Sequence, residues 1–196
     1  MTENTEPTEI IEPTEIETPT PSYKKELIIG AAVVVAVLAI IAAIALVIYN
    51  STPKVDYEPT AACSTLTTAE ARELLGDNAF NANTNEPIIS GNTATSRCGY
   101  TDGNANTQDL IVAAVIVRSG INDNGVEQNK IEFANGTPTQ GVEIVTGLGD
   151  SAYFNQVNGQ LNVLKGRNWF ILSNGLGTAP EANTLEDVTA LALKVV

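Results

Sequence analysis

The sequence predicts an α+β fold: a mostly antiparallel sheet with helices packed on it, tethered by one N-terminal transmembrane helix. Three observations predict it. Leu27–Tyr49 reads LIIGAAVVVAVLAIIAAIALVIY, with no charge and no proline; at ~1.5 Å per residue it is long enough to cross a hydrocarbon core of ~30 Å. Thr67-Thr68-Ala69-Glu70 is a capping box, the start signal of a helix. Asn158-Gly159 and Gly166-Arg167 separate three short apolar-rich segments at hairpin spacing.

The apolar run divides the chain. Tyr23 and Tyr49 bracket it, as amphipathic rings do at headgroup level. It exceeds the h-region of a signal peptide and no small-residue cleavage site follows, so it is expected to stay as a signal anchor. Thr60-Ala61-Ala62-Cys63 has the look of a lipobox but lies well beyond Tyr49 across a polar stretch. Lys24 and Lys25 precede the run and only Lys54 follows closely. Positive charge stays in the cytoplasm, which puts residues 1–26 inside and residues 50–196 outside. Within the run Ala32, Ala36, Ala39 and Ala43 share one helical face, where small residues let a second copy approach as a homodimer.

Residues 1–26 form a tail of Thr, Glu, Pro and Ile, in which TEPTEI at Thr5–Ile10 returns as IEPTEI at Ile11–Ile16. So little apolar surface and four prolines, Pro7, Pro13, Pro19 and Pro21, predict disorder. The plain reading is a solvating acidic tail. The sharper one is a phosphorylation platform at Thr5, Thr8 and Thr14, whose added charge a partner's arginines would read. Residues 50–60 are a short polar linker with Pro53 and Pro59, and Asn50 and Asn135 each open a glycosylation pattern.

Composition removes several function classes. The 196 residues carry a net charge of −13 and no histidine. No basic stripe exists to neutralise phosphate, which argues against nucleic acid. Without histidine the commonest general base and metal ligand are missing, and two cysteines alone do not make a zinc site. No metal or cofactor is expected, and an enzyme is the least favoured class.

Residues 61–196 are predicted to fold as one domain. The capped helix runs through Ala71, Leu74 and Leu75 to Gly76, a C-terminal glycine. Residues 77–95, rich in Asn, Thr and Gly, read as loop. Ser96–Thr101 is a short strand and Leu110–Arg118, nearly all apolar, a central strand buried on both faces. A helix of two turns follows, ending near Asn135-Gly136. Val142–Val145, Ser151–Val157, Gln160–Lys165 and Asn168–Ser173 are strands, and a final helix capped by Asn183 or Thr184 runs from Leu185 to about Val195. Cys63 precedes the first helix and Cys98 lies in the first strand. A bond between them closes a loop of about 36 residues and stabilises by roughly 3–4 kcal/mol in the loop-entropy account.

Gly147-Leu148-Gly149-Asp150, with Tyr153 just beyond, is the most specific local signal. It reads as a turn whose glycines supply unusual backbone angles and whose Asp150 caps it; the competing reading is a ligand loop, or a hydrolase built on Asp150. Asp102-Gly103-Asn104-Ala105-Asn106-Thr107 places oxygens at alternate positions like the start of a calcium loop. An EF-hand needs glycine at position 6 and glutamate at position 12, where this chain has Thr107 and Ala113. Trp169 and Phe170 alternate on one strand, so one faces the core and the other an open face.

Cys63-Ser64-x-Leu66-Thr67-x-x-Glu70-Ala71-x-x-Leu74-Leu75-Gly76, then Cys98-x-Tyr100, Gly147-Leu148-Gly149-Asp150-Ser151-Ala152-Tyr153-Phe154 and Val163-Leu164-Lys165-Gly166 together resemble a family of small bacterial extracytoplasmic domains of unknown function, often lipoproteins of actinobacterial type. The resemblance implies a disulfide-bridged domain outside the cell and no known activity. This chain departs in carrying an apolar run where many relatives carry a lipid anchor. The expectation is a single-pass cell-membrane protein whose outer domain binds an envelope ligand or protein partner. The alternative is a transmembrane signalling or scaffold protein with the acidic tail as cytoplasmic output.

Overall fold

The computed structural model describes residues 40–41, 53–104, 106, 108–137 and 140–196. The predicted tail, the alanine face and the transmembrane run lie outside these residues, save Ile40 and Ile41, which are helical and exposed. Among the described residues no helix is long and apolar enough to cross a membrane. The chain divides into two units, Met1–Ser51 and Thr52–Val196, and the second holds the fold.

That fold is α+β, a seven-stranded antiparallel sheet with helices on it. Two short helices open it, α1 (Ala62–Thr65) and α2 (Thr68–Leu75). The capping box is formed: the Thr67 hydroxyl accepts the Glu70 N–H, and the Glu70 carboxylate accepts the Thr67 N–H at 2.7 Å. Gly76, at φ +92°, ends α2. Strands β1 (Phe80–Ser90), β2 (Thr93–Thr101) and β3 (Ile111–Gly120) form a first meander. Helix α3 (Asp123–Gly136) then crosses one face. Strands β4 (Val142–Val145), β5 (Ser151–Asn155), β6 (Gln160–Lys165) and β7 (Asn168–Leu176) form a second meander, followed by a 3-10 turn, Pro180–Ala182, and α4 (Leu185–Val195). The sheet order is β1-β2-β3-β7-β6-β5-β4, so the meanders join along β3 and β7.

Cys98, Tyr100, Val115, Val117, Phe154, Leu161, Val163, Phe170 and Leu172 line the face under α1, α2 and α4. Leu66, Ala71, Val188 and Leu191 close this core from above, each fully buried. A second, smaller cluster lies on the other face. Phe133 of α3 packs 4.9 Å from the Tyr153 ring and 6.0 Å from Trp169, beside Leu164. Asn129 pins α3 in place, its amide donating to the carbonyls of Arg118 and Arg167 at 3.0 Å each.

Three expectations change. Residues 80–90, read as loop, are an eleven-residue edge strand. It is exposed along nearly its whole length, so it shows none of the apolar alternation by which strands are recognised; pairing with β2 holds it. The central strand is not buried on both faces: Ala113, Val115 and Val117 are sealed while Val112, Ala114 and Ile116 on the other face are half-buried, because α3 covers only part of that face. Helix α3 has 14 residues rather than two turns. Of the two caps expected for α4 the structure uses Thr184, its hydroxyl accepting the Asp187 N–H at 3.1 Å.

Both sheet edges are blunted. β1 is broken by irregularities between Asn81 and Asn83 and between Asn85 and Ile88, the second holding Pro87. β4 has only four residues. Bulges, proline and shortness deny a passing strand a template.

Candidate functional site

Cys63 and Cys98 are bonded, with Cα atoms 5.0 Å apart. Cys98 is 1% exposed and sits in the main core, so the bond ties α1 to the sheet at the core's margin.

The Gly147–Asp150 segment is the turn from β4 to β5. Gly147 and Gly149 have φ of +85° and +55°, values that favour glycine. A Cβ on Gly149 would lie 2.5 Å from the Leu164 carbonyl oxygen. The Asp150 N–H donates to that same oxygen at 2.7 Å, and the Asp150 carboxylate accepts the Gly166 N–H at 2.6 Å. These bonds tie the β4–β5 turn to the β6–β7 turn and engage one oxygen of the carboxylate. Tyr153 goes elsewhere. It lies beneath α3, 5% exposed, its hydroxyl against Gly136, and burial raises its pKa above the ordinary tyrosine value.

The calcium-like loop is built from successive Asx turns. Asp102 Oδ1 accepts the Asn104 and Ile111 N–H groups, Asn104 Oδ1 the Asn106 N–H, and Asn106 Oδ1 the Gln108 N–H. Its side-chain oxygens serve its own backbone. Among the described residues no three potential ligands gather as a metal site would require. Of the aromatic pair, Phe170 is core and Trp169 is on the opposite face. The Trp169 indole donates to Asn162 Oδ1 at 3.0 Å and Arg118 lies 5.8 Å from its ring centre. Arg118 also grips Glu132, whose carboxyl those hydrogen bonds and one from Gln128 hold down at about 2.

The sheet gives the unit two poles. The chain enters at one: the Asp56 and Tyr57 N–H groups donate to the Ile121 carbonyl at 2.8 and 3.0 Å, Asn122 Nδ2 to the Lys54 carbonyl at 2.9 Å, and Arg167 to that of Glu58 at 2.8 Å. The turns at Gly91-Asn92, Gly147–Asp150 and Gly166-Arg167 share this pole, with a cavity of about 410 Å³ lined by Thr60, Lys165, Arg167 and Phe170. At ~3.3 Å per residue, the ten residues of β3 put the opposite pole roughly 30 Å away.

The opposite pole gathers the β2–β3 loop, the 3-10 turn and the start of α4. The Gly177 N–H donates to the Leu110 carbonyl at 2.9 Å and the Thr178 hydroxyl to that of Gln108 at 3.3 Å. Between α2, β3, β7 and α4 a cleft of about 280 Å³ opens, lined by Leu74, Ile111, Gly175, Leu176, Asn183 and Asp187 among others. Ile111 and Leu176, paired across β3 and β7, are each 40% exposed at its rim. Asn183 is 8% exposed; its amide donates weakly to the Gly159 carbonyl, 3.4 Å away, and its Oδ1 accepts nothing. Asp187 is exposed, with one carboxylate oxygen taken by the Thr184 hydroxyl at 2.5 Å.

Leu74 alone among the cleft residues belongs to a string singled out in the sequence, and sequence reasoning named none of them as a site. The one available signal was the pairing of exposed apolar residues at strand ends with acids in the adjoining loops. Comparison of the chain with protein-family models, with curated proteins and with solved structures finds no match.

Proposed function

We propose that this chain is a single-pass membrane protein of the cell envelope, anchored by residues 27–49, whose domain at 61–196 lies outside the cytoplasm and binds a ligand or protein partner there. The observation that carries the reading is the Cys63–Cys98 bond. Such a bond persists in oxidising compartments and is reduced in the cytosol, which agrees with the Lys24-Lys25 asymmetry about the apolar run. The resemblance to small bacterial extracytoplasmic domains belongs to the same proposal.

Sidedness is testable in cells that express the full chain. Intact spheroplasts treated with a membrane-impermeant protease should lose the domain. The chain should resist carbonate extraction, and its cysteines should resist alkylation until reduced. Release by carbonate, protection from protease, or thiols alkylated without reduction would each overturn the proposal.

A further inference from the structure

The charges of the domain are unevenly placed. The described residues of the cleft-pole loops (76–79, 102–104, 106, 108–110, 137, 140–141, 156–159 and 177–184) and the first turn of α4 include Asp77, Asp102, Asp109, Glu181, Glu186 and Asp187, and no lysine or arginine. Arg72 on the last turn of α2 and Lys194, paired with Glu73, stand beside the pole, and the other basic residues of the domain lie elsewhere. The pole therefore presents an excess of negative charge, which steers and concentrates cations.

Charge alone does not make a site; the cleft supplies the rest. Leu74, Ile111 and Leu176 provide an apolar wall at its mouth. Asp187 retains a carboxylate oxygen beyond the one held by Thr184. Asn183 adds a deep acceptor that no donor among the described residues satisfies. The missing side chain at Gly175 keeps that acceptor clear, since a Cβ there would lie 2.2 Å from it. That oxygen is buried where Asn183 lines the cleft. A buried acceptor left unpaired carries a desolvation cost that a donating ligand removes.

An alkyl stem ending in N–H donors and a positive charge matches this arrangement. A bare metal ion does not use the apolar wall. A guanidinium would call for a two-oxygen carboxylate face, whereas one oxygen of Asp187 is occupied. The acids extend past the cleft onto three loops, so the group's neighbours should also be basic. Resting on the binding role argued above, we infer that the cleft seats a lysine side chain displayed on a basic segment of a partner protein. The stem lies along Leu74, Ile111 and Leu176, and the ammonium donates to Asp187 and Asn183.

The test uses the full chain purified in detergent micelles and fluorescence anisotropy with a labelled ten-residue peptide of alternating lysine and serine. Binding is expected at low salt and should weaken as salt rises. Acetylating every lysine should weaken it at least about tenfold, because charge and two donors are lost. Asp187→Asn and Leu176→Asn should each weaken it about fivefold or more, and Glu181→Gln, which leaves the α4 cap untouched, should weaken it measurably; Glu127→Gln on α3 should not. Circular dichroism establishes which variants are folded. The inference is overturned if the lysine peptide does not bind at low salt. It is overturned too if the acetylated peptide binds equally, or if folded Leu176→Asn and Glu181→Gln both keep full affinity. Because the assay is done on purified protein, its failure leaves the sidedness result standing, and the reverse holds equally.

Discussion

Reduction of the Cys63–Cys98 bond should lower the stability of the domain by an amount fixed mainly by the unfolded chain. The two residues are 35 positions apart. The loop-entropy relation for a closed loop of that length gives about 3.8 kcal/mol at 25 °C. A domain of this size has an unfolding entropy near 0.3 kcal/mol/K, at ~2.1 cal/mol/K per residue. The melting temperature should therefore fall by about 13 °C. The native contacts should change little, since Cys98 is buried in the core that also holds Leu66. The assay is calorimetry of the oxidised protein against the same protein in a phosphine reductant, with Cys63→Ser/Cys98→Ser as a second reduced state. A fall below about 3 °C would refute the argument that the bond restricts the unfolded chain. Loss of the folded state in the reductant would refute it in the other direction, by showing that the bond holds up the native packing itself.

Phe133→Ala should cost about 3–4 kcal/mol, measured by urea unfolding, because Tyr153, Leu164 and Trp169 lose the ring that covers them. Gly149→Ala should cost about 2–4 kcal/mol by the same measure, since its φ is +55° and the new methyl meets a carbonyl at 2.5 Å. Glu132 has a folded pKa below its unfolded value, so its share of stability is present above about pH 5 and is lost as pH falls toward 2. The side chain is 42% exposed, which keeps that share below about 1 kcal/mol; urea midpoints of Glu132→Gln and the parent should differ at pH 7 and converge at pH 2. Replacing Glu86 and Pro87 with Val and Thr should produce concentration-dependent association in analytical ultracentrifugation, because the β1 edge loses its guards.

What was legible in the sequence was what local chemistry writes into neighbouring residues. Thr67 and Glu70 announce α2, Gly76 ends it, and Gly166-Arg167 turns β6 into β7, all within a few positions. β1 was illegible for the opposite reason. Asn81, Asn83, Thr84 and Asn85 bury nothing, and their strand exists because β2 offers hydrogen bonds from elsewhere in the chain. Helix α3 was under-read because Val126, Ile131 and Phe133 give only a weak apolar pattern, and Gly125 and Asn129 add nothing to it. In the fold these last two are its contact points: a Cβ on Gly125 would strike the Asn92 carbonyl at 1.8 Å, and Asn129 is wholly buried. The cleft draws Leu74, Ile111, Gly175 and Asp187 from four elements. Only the pairing of β3 with β7 brings them together, and no local pattern encodes that.

That pairing also bears on how the molecule is made. Each meander is stitched by turns of a few residues, so its contacts close quickly. The seam between β3 and β7 must wait for a loop containing α3, β4, β5 and β6 to close. Asn129 donates to one carbonyl near the end of β3 and one just before β7, so a single side chain reports whether the halves have met. The slow step of folding belongs to this seam, and a chain arrested before it would hold two half-sheets, each with one unguarded edge, β3 or β7, open to its neighbours.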